Sequence, residues 1–338
     1  MRIASTLCMM QVRLGLMRST KLELSMPKFK NLHTSIVLTL LAIAPLAHSQ
    51  APGYEPPRTE YGAPDIQGIW TNRSITRMER RPGAEELVLT DERADELAQD
   101  SLWMSLDREQ QNNPITDAES GEAAFGTRGH NAFWVDAGFG MGLVKGENRS
   151  SWIIDPPNGR IPYKEGGAAL RRASHLPPIG SFDGPETRPV GERCIALAVA
   201  TGPPMQNGIY NNNYQFIQTE DHVVLMAEMG HEVRIIPFAD EHNNEDLEPW
   251  FGDSIARYEG DTLVVETIKP YPLQGNFISP EGKITERFTR WSDNEIFYEY
   301  TVDDPAIYTQ PWSGEMSFYT ETALYEYACH EGNYSLPG

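Results

Sequence analysis

Glu228, His231 and Arg234 are the side chains in this sequence best suited to moving a proton or holding an anion. Gly230 lies among them and marks a turn, so the three are expected at a strand end, a hairpin turn and the next strand, where a hairpin brings them together. A carboxylate beside an imidazole orients the ring and sets its protonation, which suits general acid–base chemistry. An arginine alongside could hold a substrate carboxylate or an oxyanion. The same three residues also fit a simpler reading, an exposed ion pair that steadies a turn.

A second group sits at Cys329-His330-Glu331. A thiol next to an imidazole is a nucleophilic dyad in principle. On a strand, however, neighbouring side chains face opposite ways, so Cys329 and His330 would not share one site. His330 and Glu331 therefore join the candidate catalytic residues, while Cys329 is expected to pair with Cys194. A free thiol at Cys329 is the alternative. Asn211, Asn212, Asn213 and Tyr214 offer amide and phenol groups that could line a polar pocket, although asparagine also favours turns. Tyr300 and Trp134 complete the candidate substrate-binding set.

Metal chemistry has thin support. Glu228, His231, Glu241 and His242 are possible ligands, but there is no HExxH pattern, and the acidic stretch 240–246 lacks calcium-loop spacing. No metal site is assigned and no cofactor is expected, with a divalent cation left open. Gly252-Asp253-Ser254 reads as a turn, and no nucleophile elbow, phosphate loop or dinucleotide fingerprint is present.

These residues need elements to position them. From residue 211 onward, strands are expected at 214–219, 222–228, 232–238, 254–258, 262–267, 283–291, 296–302, 314–320 and 324–328. Turn residues at Glu220-Asp221, Gly230, Glu259-Gly260-Asp261 and Ser292-Asp293-Asn294 separate them. Short strands at this spacing, with no helices between them, indicate an antiparallel meander that closes as a barrel, with a sandwich as the alternative. Both faces of 283–291 and of 297–301 mix polar and apolar groups, which points to a partly polar interior such as a wide barrel around a ligand or water. Upstream, Thr90-Asp91-Glu92 opens a helix, with Thr90 as N-cap and acids in the first turn. Shorter elements are expected near 66–70, 130–136, 151–155 and 168–173, with Pro/Gly-rich loops wrapping the domain.

Residues 26–50 have the layout of a secretory signal peptide. Lys28 and Lys30 precede an apolar stretch at 36–47, and Ala47-His48-Ser49 supplies small residues at a cleavage site. The apolar stretch is short for a membrane span. Met26 is where such a leader normally begins, so Met1 is expected to be a mis-assigned start. The chain then divides into a leader at 1–49, an N-terminal arm and helix at 50–125, and a β-barrel domain at 126–338. The whole chain has 28 basic and 48 acidic residues. Removing the leader's six basic and one acidic residues leaves a net charge of −25, a surface that repels nucleic acid and anionic membrane.

Several motifs occur together: Asn131-Ala132-Phe133-Trp134, then Ile153-Ile154-Asp155-Pro156-Pro157-Asn158-Gly159-Arg160-Ile161-Pro162, and Tyr210-Asn211-Asn212-Asn213-Tyr214-Gln215. Glu259-Gly260-Asp261-Thr262-Leu263-Val264-Val265-Glu266-Thr267 and Ala328-Cys329-His330-Glu331-Gly332-Asn333-Tyr334 follow. This ordered set resembles a large family of exported bacterial proteins usually labelled hypothetical, common in environmental and marine bacteria. The resemblance covers most of residues 60–335. It implies a bacterial, exported, β-rich and lipocalin-like protein, and it carries no activity with it.

The expected function is an exported, cofactor-independent acid–base enzyme, of lyase or isomerase type. It would act in the periplasm or outside the cell on a small aromatic or carboxylated molecule held in the barrel. A perturbed acid in a cleft would mark it. A lipocalin-type carrier would instead show an apolar cavity with few titratable groups. A structural envelope protein would show a large exposed apolar patch. No nucleic-acid partner is expected, nor a membrane span once the leader is cleaved.

Overall fold

Residues with alternating apolar side chains form the strands of this protein, and the strands close on themselves. The computed structural model describes residues 51–112, 136–138, 140–173, 184, 188, 190–196, 201–243, 249–271 and 277–329. The leader, residues 130–135 of the expected strand at 130–136 (Trp134 among them), His330 and Glu331 lie outside the described residues.

The strands are β1 (Gly68–Thr71), β2 (Val88–Leu89), β3 (Leu143–Val144), β4 (Glu147–Arg149) and β5 (Ile153–Asp155), then β6 (Asn213–Gln218), β7 (His222–Ala227) and β8 (Val233–Pro237). A second run follows: β9 (Asp253–Glu259), β10 (Thr262–Ile268), β11 (Lys283–Ser292), β12 (Glu295–Asp303) and β13 (Trp312–Thr320). The main sheet has the order β8-β7-β6-β1-β13-β12-β11-β10-β9, with β5 added to β13. Two meanders, β6 to β8 and β9 to β13, are therefore joined by β1. That strand from the N-terminal arm pairs with β6 on one side and β13 on the other.

Nine antiparallel strands leave the first and last running parallel. The sheet ends accordingly meet through one parallel bridge, Phe238 to Ala256, and the barrel is nearly closed. A small sheet, β2-β4-β3, stands apart from it.

Every expected strand from 214 to 320 is present. The expected strand at 324–328 is not, because this segment finds its partners elsewhere. The Tyr325 backbone N–H donates to Glu228, and the Tyr327 carbonyl lies 3.2 Å from Nδ1 of His231. The segment thus runs across the barrel end and stops at the Cys194–Cys329 disulfide.

Thr90 caps helix α1 (Asp91–Gln99), its hydroxyl accepting from the Arg93 N–H. Helix α1 ends at Asp100, and a second helix, α2 (Leu102–Asn112), follows. A third, α3 (Gly167–Ala173), lies where a short helix was expected. None of the described helices is long and apolar enough to cross a membrane.

The barrel interior is filled rather than hollow. Trp70, Trp312, Tyr298, Phe216, Phe288 and Phe318 are all fully buried. Phe288 stacks at a tilt on Tyr298 with centroids 4.9 Å apart, and Phe216 meets Phe288 edge-on at 5.7 Å. Aromatic pairs of this kind add to the burial of their area.

Candidate functional site

The structure separates the three residues expected to act together. Strand β8 alternates, and its inward positions are Arg234 and Ile236. Arg234 therefore enters the barrel interior, where its Nη2 donates to Oε2 of Glu286 at 2.6 Å and its Nη1 to Oε1 at 3.2 Å. Tyr298 donates its hydroxyl to Glu286 at 2.9 Å and accepts from the Met205 N–H. Arg234 also donates to the Thr201 carbonyl. This is the polar interior suggested by the mixed faces of β11. It contains a hydrogen-bonded ion pair, the usual answer to burying charge. Burial and the neighbouring Glu286 charge hold the Tyr298 phenol well above its ordinary range.

Glu228 lies at the barrel end and is also buried. Its carboxylate accepts from Asn211 at 2.6 Å, Asn213 at 2.9 Å and the Tyr325 N–H at 3.2 Å. His231 is exposed beyond it, in the turn where Gly230 and His231 both take positive φ, 66° and 44°. Glu228 thus secures the C-terminal segment, and His231 adds a contact to the same segment.

The asparagine run has a structural task that its sequence did not reveal. Asn211 and Asn213 hold Glu228. Asn212 accepts from the Gly208 N–H at 2.7 Å and donates to the Asp136 carbonyl at 3.5 Å. Tyr214 donates to the Gln206 carbonyl. Together they fix residues 206–209 and Asp136. Tyr300 belongs to the core, packed edge-on to Trp312 at 5.8 Å and closely over Gly314.

The segments so fixed form a cavity of about 340 Å³ on the flank of the barrel. Ser74, Arg77, Asp136, Trp103, Trp152 and Asn207 are among its lining residues. Asn207 is its keystone. Its amide donates to the carbonyls of Ser74 at 2.7 Å and Thr76 at 3.1 Å, and its oxygen accepts from the Trp152 indole at 2.7 Å. The indole is thereby locked as a wall. Gly142 lies so close beneath Trp152 that a Cβ there would come within 2.1 Å of the ring.

Asp136 is the titratable acid of this cavity. Burial raises its carboxyl above the usual aspartate range, and the Arg73 charge only partly offsets this. A carboxyl poised upward can give a proton as well as take one. Asp136 was not singled out from the sequence. It stands at the end of an expected short strand, just before a run of glycines, and no spacing marks it as an acid in a cleft.

A second pocket, of about 380 Å³, continues the first, sharing Arg77, Met78 and Gln206 with it. It also includes Arg80, Arg81, Arg160 and Arg171. The two form one groove along residues 74–82. Glu228, His231 and Arg234 line neither part.

The residues weighed as metal ligands do not converge. His242 lies between Asp253 at 3.1 Å and Glu266 at 3.3 Å, whereas Glu228 is held by Asn211, Asn213 and Tyr325 and His231 contacts Tyr327. Among the described residues, no group of three or more His, Cys, Asp or Glu side chains is placed to hold a metal ion. Cys194 and Cys329 are joined, so neither is a free nucleophile.

No family model matches this chain, and no curated protein or solved structure matches it significantly.

Proposed function

We propose that this protein is an exported, cofactor-independent acid–base enzyme of the lyase or isomerase type. Its substrate is a small aromatic or carboxylated molecule, bound in the groove beside the barrel rather than inside it. The observation that carries this reading is the Asp136 carboxyl, raised by burial and set in a cavity with two indoles and Arg77. Trp103 and Trp152 offer apolar faces to a ring, Arg77 offers a guanidinium to a carboxylate, and Asp136 exchanges the proton. A simple carrier cavity would have fewer converging titratable groups. The disulfide supports an oxidising compartment, either the periplasm or the cell exterior.

The test is to incubate the protein, starting at Gln50, with a pooled library of aromatic and carboxylated metabolites and to follow them by mass spectrometry. Disappearance of one compound with appearance of an isomer or elimination product supports the reading. A compound that survives unchanged but is retained through desalting makes the protein a carrier instead.

A further inference from the structure

We infer that the pocket lined by Arg77, Arg80, Arg81, Arg160 and Arg171 binds an oxyanion carrying two or more negative charges. Acidic residues outnumber basic ones 48 to 28 in this chain, yet five of the basic residues surround this one pocket. Its one carboxylate is Glu79, and that side chain accepts from the Ile161 N–H at 3.0 Å. Among the described residues, Arg77, Arg81 and Arg160 make no ion pair, although other arginines of the chain do, as Arg149 does with Glu315 and Arg287 with Glu259.

Arg80 is the most informative member. It is only 6% exposed, and its Nη1 donates to the carbonyls of Glu85 at 3.0 Å and Pro157 at 2.9 Å. Its Nε is buried without a hydrogen-bond partner. A guanidinium buried against carbonyls keeps its full positive charge, and among the described residues no ion pair offsets that charge. Gly159, at φ 66°, packs so tightly on Arg80 that a Cβ would approach its side chain to 2.8 Å. The arginine is thus held in one place. Arg171 is steadied over the Phe277 ring, 3.8 Å from its centroid, and donates to the Tyr163 hydroxyl. Arg80 and Arg81 both lie below the ordinary arginine range, through burial in each case and for Arg81 also through the facing Arg77 charge. An arriving anion relieves both penalties at once. Sulfate, phosphate and polycarboxylate groups share the needed chemistry, because each presents several oxygens to forked donors.

This inference does not depend on the acid–base reading, since the pocket can bind an anion whether or not Asp136 transfers a proton. The test is calorimetric titration at constant ionic strength with sodium sulfate, inorganic phosphate, benzene-1,3,5-tricarboxylate and chloride. It compares the wild type with Arg77→Gln/Arg160→Gln, both exposed positions, and with Arg93→Gln on α1 as control. The expected result is saturable binding of at least one multivalent anion and none of chloride. The double variant weakens it at least about tenfold, as loss of charge-assisted hydrogen bonds implies, and the control leaves it unchanged. Binding of sulfate or phosphate identifies a free anion as sufficient. Binding of the tricarboxylate alone means the anionic group must be carried on an organic body that reaches the adjoining cavity. Absence of saturable binding by all three, or equal binding by the double variant, overturns the inference.

Discussion

Arg234 and Glu286 face each other inside the barrel with Nη2 2.6 Å from Oε2, and both side chains are out of reach of solvent. Their partners tie the barrel interior to the loop that walls the groove. The Thr201 carbonyl accepts from Arg234, and the Met205 N–H donates to Tyr298, which itself donates to Glu286. The pair therefore anchors residues 201–209 from within.

Breaking this pair on one side leaves an uncompensated buried charge. Glu286→Leu is expected to cost about 3–5 kcal/mol, while Arg234→Met combined with Glu286→Leu recovers most of that loss. Urea unfolding of the three proteins checks this, and an additive double variant would show that the charges act separately.

The disulfide closes a loop of 135 residues and fastens the segment that covers Glu228. Cys194→Ser with Cys329→Ser is expected to cost about 2–5 kcal/mol. Thermal unfolding with and without reductant measures it, and the double variant should be insensitive to reductant.

Much of the architecture was legible because period-2 patterns and turn residues survive in the sequence. Thr90 announced α1, and the strands from Asn213 to Thr320 announced the barrel. Segment 324–328 has the same alternation, but its partners are Glu228 and His231, and no local signal says that a strand-like stretch will bond to side chains instead of a sheet. Arg234 was expected on the strand after the turn and lies there, in β8; alternation puts it on the face of Ile236, so it points into the core and pairs with Glu286 rather than with Glu228 and His231. The groove was not legible, because it is assembled from irregular segments at 74–82, 136–137 and 206–209. Their side chains meet through Asn207 and Asn212, contacts that no periodicity encodes.

Two acids give opposite tests from the usual carboxylate. Burial raises Glu299 from 4.5 to about 7, with Lys145 offsetting and Glu315 reinforcing the shift. A folded-state pKa above the unfolded value means the folded protein holds its proton longer. Stability from this group is full below about pH 4.5 and falls as pH rises toward 7. Glu299→Gln should therefore match the wild type near pH 4 and exceed its stability by up to about 3 kcal/mol near pH 8. Asp136, also raised, acts in the same direction. Denaturant unfolding across this pH range decides it, and a variant less stable than wild type at pH 8 contradicts the sign.

Gly142 sets the depth of the cavity wall by letting Trp152 lie against the backbone. Gly142→Ala displaces the indole and breaks its bond to Asn207, at a cost of about 1–3 kcal/mol from overpacking. Reduced stability should come with a shift in tryptophan emission, and unchanged spectra would place the ring elsewhere.

The most direct test of the groove as the active site compares wild type, Asp136→Asn and His231→Ala in parallel incubations with the same metabolite pool. His231 is exposed and lines neither pocket, so its variant should consume the wild-type substrate at the wild-type rate. Asp136→Asn should slow consumption about 10²–10⁴-fold, the usual contribution of a positioned acid or base. Equal consumption by Asp136→Asn and wild type, or loss of activity in His231→Ala alone, would contradict the assignment and return the chemistry to the barrel end.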